Sequence, residues 1–365
     1  MKRHIRYLAF GIATVTLFIT EFCLGQSENE TVYYNNPDII SNRPQREQVV
    51  EQESGAELYK NTKLVFATVE DAQKFLTTKD KYINSQTPYD RKLRLNKEES
   101  VSVKEYLDFL SEQALDWTES EKTQISVLVQ NISHRLEKYD LNLPSEIFLV
   151  KTTGKEEGEA AYCRGNAIVL PQNIVRRIGQ STETLIVHEL FHIFTKNNLD
   201  MREKLYKVIN FKKCGKVELP QELLDIEVTN PDVPSDRYYV ELQHEGENID
   251  VIPMITVPNF NPGINRPFFY SLKFQLVGVE KIDSQYKYKR NESGEPVVYE
   301  QNQLPDYLKK VGENTNYLIH PEEILADNFA IMVLEKQPVK SQWVIDKMKS
   351  LLENKNKNVV GIDLK

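Results

Sequence analysis

The sequence lacks an excess of positive charge. Its 46 basic residues are outnumbered by 54 acidic ones, interspersed along the chain, for a formal net charge of −8. Contact with a phosphate backbone needs clustered Lys and Arg, so nucleic acid is excluded as an expected partner. Cysteine is scarce as well: only Cys23, Cys163 and Cys214 are present, which leaves room for at most one disulfide. Bridging Cys163 to Cys214 would close a loop of about 50 residues and stabilise by roughly 4 kcal/mol if unstrained. Two buried free thiols fit equally well, because a chain of 365 residues can bury a core without a staple. No apolar run is long enough to span a bilayer comfortably: the best, Leu8 to Ile19, is short and is followed by Glu21. There is no internal repeat.

That short run has a different use. Lys2, Arg3 and Arg6 precede it and Cys23-Leu24-Gly25-Gln26 follow it, the order of charged, apolar and small-residue regions in a secretory signal peptide. Residues 1–25 are therefore read as an export signal, the only expected membrane contact, and the mature chain as secreted or periplasmic. Thr20-Glu21-Phe22, just before Cys23, lack the leucine and small residues that lipidation needs. Residues 26–60 are polar and short of periodic apolar positions, which reads as a flexible leader.

From Tyr89 to Leu143 glycine and proline are absent, and two amphipathic helices fit. Ser102 with Glu105 and Thr118 with Glu121 are spaced as capping boxes, and Ile125, Leu128, Val129, Ile132 and Leu136 repeat at helical spacing. Ile147–Val150 and Ala167–Leu170 read as short apolar strands on either side of the turn-rich stretch from Gly154 to Gly158. A helix is expected from Thr182 to Thr195 behind Ser181 as N-cap, apolar nearly all round and therefore buried. Shorter helices follow from Asp200 and from Pro220. Seven of the sixteen prolines fall between Pro220 and Pro267, and with Tyr238–Leu242 and Phe268–Val279 they mark residues 211–310 as a β-rich insertion or subdomain. Helices return from Pro321 to about Lys336 and from Ser341 to about Glu353. The whole predicts an α+β body over residues 61–365.

The buried helix carries His188-Glu189-Leu190-Phe191-His192. Histidines four residues apart lie one turn apart on one helix face, where two neutral imidazoles can share one Zn²⁺, and Glu189 beside them suits a general base acting on water. A catalytic zinc site needs a third protein ligand and one open position. Thr195 and Asn198 stand where the long metzincin continuation would place its glycine and third histidine, so the third ligand lies elsewhere. In Tyr317-Leu318-Ile319-His320-Pro321-Glu322-Glu323-Ile324-Leu325-Ala326-Asp327, Glu323 and Asp327 are one helical turn apart. One can bind metal while the other accepts a hydrogen bond from a ligating histidine. Glu222, Asp225, His320 and His244 are the competing ligands, and His134, on an amphipathic helix, reads as a surface histidine.

These two motifs resemble those of the gluzincins, metallopeptidases whose third ligand is a glutamate on a later helix, followed four residues on by an acidic residue. The segment around Glu323 is most similar to the lethal-factor-like subset, in which a tyrosine precedes the glutamate by about two turns. The resemblance implies a zincin-like fold with N-terminal helices, a small mixed sheet, an active-site helix and the inserted β-rich segment. It also implies His188, His192 and Glu323 as zinc ligands, Glu189 as catalytic base, Asp327 as support for a ligating imidazole, and Tyr317 as oxyanion donor. His320 stands where the family pattern often has asparagine and competes with Tyr317 for that last role. A peptide or protein substrate would pair with the strand bordering the active-site helix, either Ala160–Cys163 or Ala167–Leu170. The expectation is a secreted zinc-dependent metallopeptidase. A secreted binding or assembly protein on a non-catalytic scaffold, with residues 211–310 as its recognition surface, is the alternative. Nothing in the sequence specifies an oligomeric state.

Overall fold

The computed structural model describes residues 55–233, 236–262 and 268–354. The expected export signal and most of the expected leader lie outside the described residues. The folded body begins earlier than expected, because Gly55–Tyr59 is already a strand, with Leu58 and Tyr59 in the core.

The first sheet gathers β1 (Gly55–Tyr59), β2 (Thr62–Phe66), β3 (Ala114–Leu115), β4 (Glu146–Thr152), β5 (Tyr162–Arg164) and β6 (Ala167–Pro171). Its order is β1-β2-β4-β6-β5, with β3 pairing on β4. β2, β4 and β6 run parallel, whereas β5 returns antiparallel on β6 and forms the sheet edge. β4 and β6 are buried almost throughout, as continuous apolar runs covered on both faces should be.

Helices Val69–Thr77, Pro88–Arg94, Val103–Ser111 and Glu119–Leu136 surround this sheet. The last begins with the complete Thr118/Glu121 capping box and buries Ile125, Val129, Ile132 and Leu136 on one face. At Ser102 only half of the expected box forms: the Ser102 hydroxyl accepts from the Glu105 amide, while the Glu105 carboxylate turns to Lys97. The histidine helix runs Gln180–Asn197, starting before Ser181 because Thr182 Oγ1 accepts the Gly179 N–H and caps the chain earlier. Ile186, Val187, Leu190, Phe191, Ile193 and Phe194 lie in the main core, each contributing about 1.5–3 kcal/mol of burial. The carboxylate helix, Pro321–Val333, packs against it with the Phe191 and Phe329 rings 5.5 Å apart, and Gln342–Leu352 closes the chain.

The second sheet comprises β7 (Lys212–Gly215), β8 (Val217–Glu218), β9 (Arg237–His244), β10 (Glu247–Thr256), β11 (Lys273–Ile282), β12 (Gln285–Tyr288) and β13 (Val298–Glu300). It is antiparallel except where β8 joins β12. The β-rich segment is therefore real, but it is not a separate body. Tyr238, Val240, Leu242, Ile249, Val251 and Leu276 belong to the same core as the histidine helix, so the sheet is a wall of the main fold. The architecture is α+β. Among the described residues no helix is long and apolar enough to cross a membrane.

Candidate metal centre

The histidine and carboxylate helices meet through their polar residues at one point in an apolar interface. His188, Glu189 and His192 are at most 8% exposed, and they come within 4.8 Å of one another. Glu323, 2% exposed, faces both imidazoles: its Oε2 is 3.2 Å from His188 Nε2 and 3.5 Å from His192 Nε2. Tetrahedral zinc with bonds of about 2.0–2.1 Å separates neighbouring ligand atoms by about 3.3 Å, and the carboxylate oxygen stands at about that spacing from each imidazole nitrogen. His192 Nε2 is buried without a hydrogen-bond partner, which is costly unless something else binds it. The donor set fits zinc.

The other ring nitrogens are held from the carboxylate helix. Asp327 Oδ1 lies 2.8 Å from His188 Nδ1, and Thr315 donates to the same carboxylate. Glu322 Oε1 lies 3.2 Å from His192 Nδ1 and accepts from the Thr195 hydroxyl, while Glu322 Oε2 accepts from the Tyr206 hydroxyl. With each Nδ1–H tied to a carboxylate, Nε2 is the free lone pair on both rings, the tautomer a metal needs. Glu322 was missed in the sequence because its apolar surroundings on a helix reveal nothing about its partner.

Electrostatics report the same crowding of negative charge. Burial alone would lower the His188 imidazolium, but Asp327 and Glu323 outweigh it and hold it up at about 10. Burial likewise opposes His192, and the Asp232 and Glu323 carboxylates raise it well above its ordinary value. Burial would raise Glu323, yet the two histidines bring it well below the usual carboxylate range. Burial, then the charge of Asp232, pushes Glu189 up to about 7.

The oxyanion candidates separate. His320 is the N-cap of the carboxylate helix, its Nδ1 accepting from the Glu322 amide while its ring packs on Tyr206 and Tyr238. Tyr317 lines the cleft beside the site, and burial followed by the nearby carboxylates raises its phenol well above the ordinary value, keeping it a proton donor. The competing ligands are elsewhere: Glu222 and Asp225 are exposed on the short helix Gln221–Leu224, His244 packs on Tyr299, and His134 is exposed beside Glu137. Cys163 and Cys214 are both free thiols. Cys163 sits instead against the general-base candidate, donating its S–H to Glu189 Oε2 at 3.2 Å.

One loop of the second-sheet segment enters the site and was not foreseen. Asn230 Nδ2 donates to Glu323 Oε1 at 2.6 Å, and Asp232 comes within 4.8 Å of ligand atoms of both His192 and Glu323. Asn230-Pro231-Asp232 reads in sequence only as a turn. Comparison with family models, curated proteins and solved structures finds no match for this chain.

Proposed function

We propose that the chain is a zinc-dependent metallopeptidase of zincin-like fold, exported from the cytoplasm and acting on peptides or proteins. One observation carries the reading: a carboxylate 131 residues after His192 brings a single oxygen within 3.5 Å of both imidazole Nε2 atoms, one of which is otherwise unpartnered. His188, His192 and Glu323 would hold the metal, and zinc in such a set supplies Lewis acidity that polarises a carbonyl and acidifies water.

The chain's own groups divide the remaining work. Glu189, raised to about 7, is poised to take the proton of the attacking water at neutral pH and to pass it to the departing amine. Tyr317 donates its phenol proton in a hydrogen bond to the developing oxyanion. β5 offers the sheet edge along which an extended peptide can pair, since β6 is enclosed between β4 and β5. Of the two strands considered for that role, the edge position favours β5.

The test is zinc titration of the mature protein with a peptide-library cleavage profile. One zinc per chain and chelator-sensitive cleavage are expected, with Glu189→Gln keeping the metal and losing cleavage by about 10²–10⁴. Loss of zinc in Glu189→Gln would reassign that residue. The second reading, a binding protein on a non-catalytic scaffold, is favoured by one feature: Asp232 stands close enough to fill the position that catalysis leaves open.

A further inference from the structure

We propose that Asn230–Asp232 is an internal plug: Asp232 is a fourth protein ligand to the metal, and its loop covers the strand edge where substrate would pair, so the chain folds in a latent state. The proposal rests on the three-ligand zinc reading and adds a residue and a regulatory consequence to it.

Four observations converge. Asp232 is 6% exposed and lies within 4.8 Å of ligand atoms of His192 and Glu323, and His192 Nε2 is buried without a hydrogen-bond partner. Its side-chain hydrogen bonds and ion pair both use Oδ1, from the Cys163 amide and Lys196 Nζ, leaving Oδ2 for a cation. The same Oδ1 accepts the Cys163 N–H at 2.8 Å, and Lys196 Nζ donates to the Cys163 carbonyl at 3.2 Å. Thus both outward-facing backbone groups of Cys163 on edge strand β5, the pair a substrate backbone would use, are already satisfied. Asn230 meanwhile grips Glu323, and its Oδ1 accepts the Asp232 amide at 2.8 Å, which fixes the turn.

The loop is also anchored outside the metal centre. The Thr229 amide and hydroxyl both donate to Asp90 Oδ2, and Arg94 donates to the Thr229 carbonyl at 2.7 Å. Arg94 is itself fully buried in pairs with Asp90 and Glu157. These anchors stay in place when Asp232 is displaced, and its own contacts are replaceable by a peptide that brings one carbonyl for the Cys163 N–H and its scissile carbonyl for the metal. Latency therefore yields to an extended peptide that binds β5 well, and to loss of the Asp232 carboxylate.

The experiment uses the full mature chain with zinc and with cobalt. Asp232→Ala is expected to keep one zinc per chain but to lose about tenfold or more in zinc affinity by chelator competition. Its cobalt absorption is expected to become pH-dependent, as a coordinated water ionises, where the wild-type spectrum is flat with pH. Peptide hydrolysis is expected to rise about tenfold or more. Asp232→Asn, which keeps an acceptor for the Cys163 N–H, should shift affinity and spectrum in the same direction and shows that the variants fold. Unchanged affinity and spectrum in both variants would overturn the proposal. Weaker zinc binding without faster hydrolysis would overturn latency and leave Asp232 as a ligand of a closed site. Failure of the three-ligand reading is separate: it would appear as zinc binding indifferent to Glu323→Ala in the wild-type background.

Discussion

The helix pair and the Thr229–Asp232 loop present charged groups to the same point, but they are held there by different physics. The histidine and carboxylate helices are fastened by apolar burial, with Phe191, Phe194, Ile324, Leu325 and Phe329 in the main core. Moving either would expose several large side chains at a cost of about 1.5–3 kcal/mol apiece. The loop carries no comparable apolar face toward the site; Asn230, Asp232 and Thr229 are tied by hydrogen bonds to carboxylates, worth about 1.5–3 kcal/mol each, that a competing polar group can replace in kind. Elements with many polar contacts and little apolar burial open at low free energy, so one half of the centre is a fixed frame and the other is displaceable.

The largest expected effect tests the frame. Apparent zinc binding of about 10–16 kcal/mol, shared among four ligands, gives each about 2.5–4 kcal/mol, so Glu323→Ala should weaken zinc binding by about 10²–10³-fold in a competition titration. Glu222→Ala, on an exposed helix, should leave it unchanged. A reversal of these two results would move the third ligand off the carboxylate helix. Next comes Tyr317→Phe, which removes one oxyanion donor and should lower kcat by about 10²–10³ with zinc affinity intact. Equal loss of zinc would make Tyr317 part of the frame instead.

A somewhat smaller effect falls on the polar side of the molecule. Burial, only partly offset by hydrogen bonding, raises buried Glu156 from its ordinary 4.5 to about 7. The folded state thus holds this proton to higher pH than the unfolded state does. The associated stability is fully present below about pH 4.5 and lost as pH rises through 7, amounting to roughly 3 kcal/mol. Urea melts at pH 5 and pH 8 should show Glu156→Gln flattening that decline; an unaltered slope would relieve Glu156 of the cost. The smallest effect is Tyr206→Phe. It removes the hydroxyl that donates to Glu322, the carboxylate behind His192, and should weaken zinc binding about tenfold without changing the loop.

Much of the frame was legible before any coordinates. Thr118 and Glu121 form the capping box their spacing predicts, Pro321 opens its helix at the first position, and β4 and β6 occupy the apolar runs read as strands. Errors fell where a non-local partner overrode a local signal. Gly55–Tyr59, read as leader, pairs with β2 and packs Leu58 into the core. Ser181 lost the helix start to Gly179 because the Thr182 hydroxyl took the cap. The β-rich stretch, read as an insertion or subdomain, holds strands and shares its core with the histidine helix because the inward residues of β9 and β10 are as apolar as any in the first sheet.

Sequence by itself determined the imidazole pair and the base beside it, because two histidines four residues apart on an apolar helix share a face through helix geometry alone. It also offered Glu323 as a candidate third ligand, beside Glu222, Asp225, His320 and His244. Only the tertiary structure decided that Glu323 faces both rings, that Glu322 backs one of them, and that Asn230 and Asp232 enter from a loop of the second sheet. Those placements depend on how two helices and two sheets pack around one core. Residue spacing along the chain carries no record of that packing, since the groups brought within a few ångströms are separated by 40 to 135 residues.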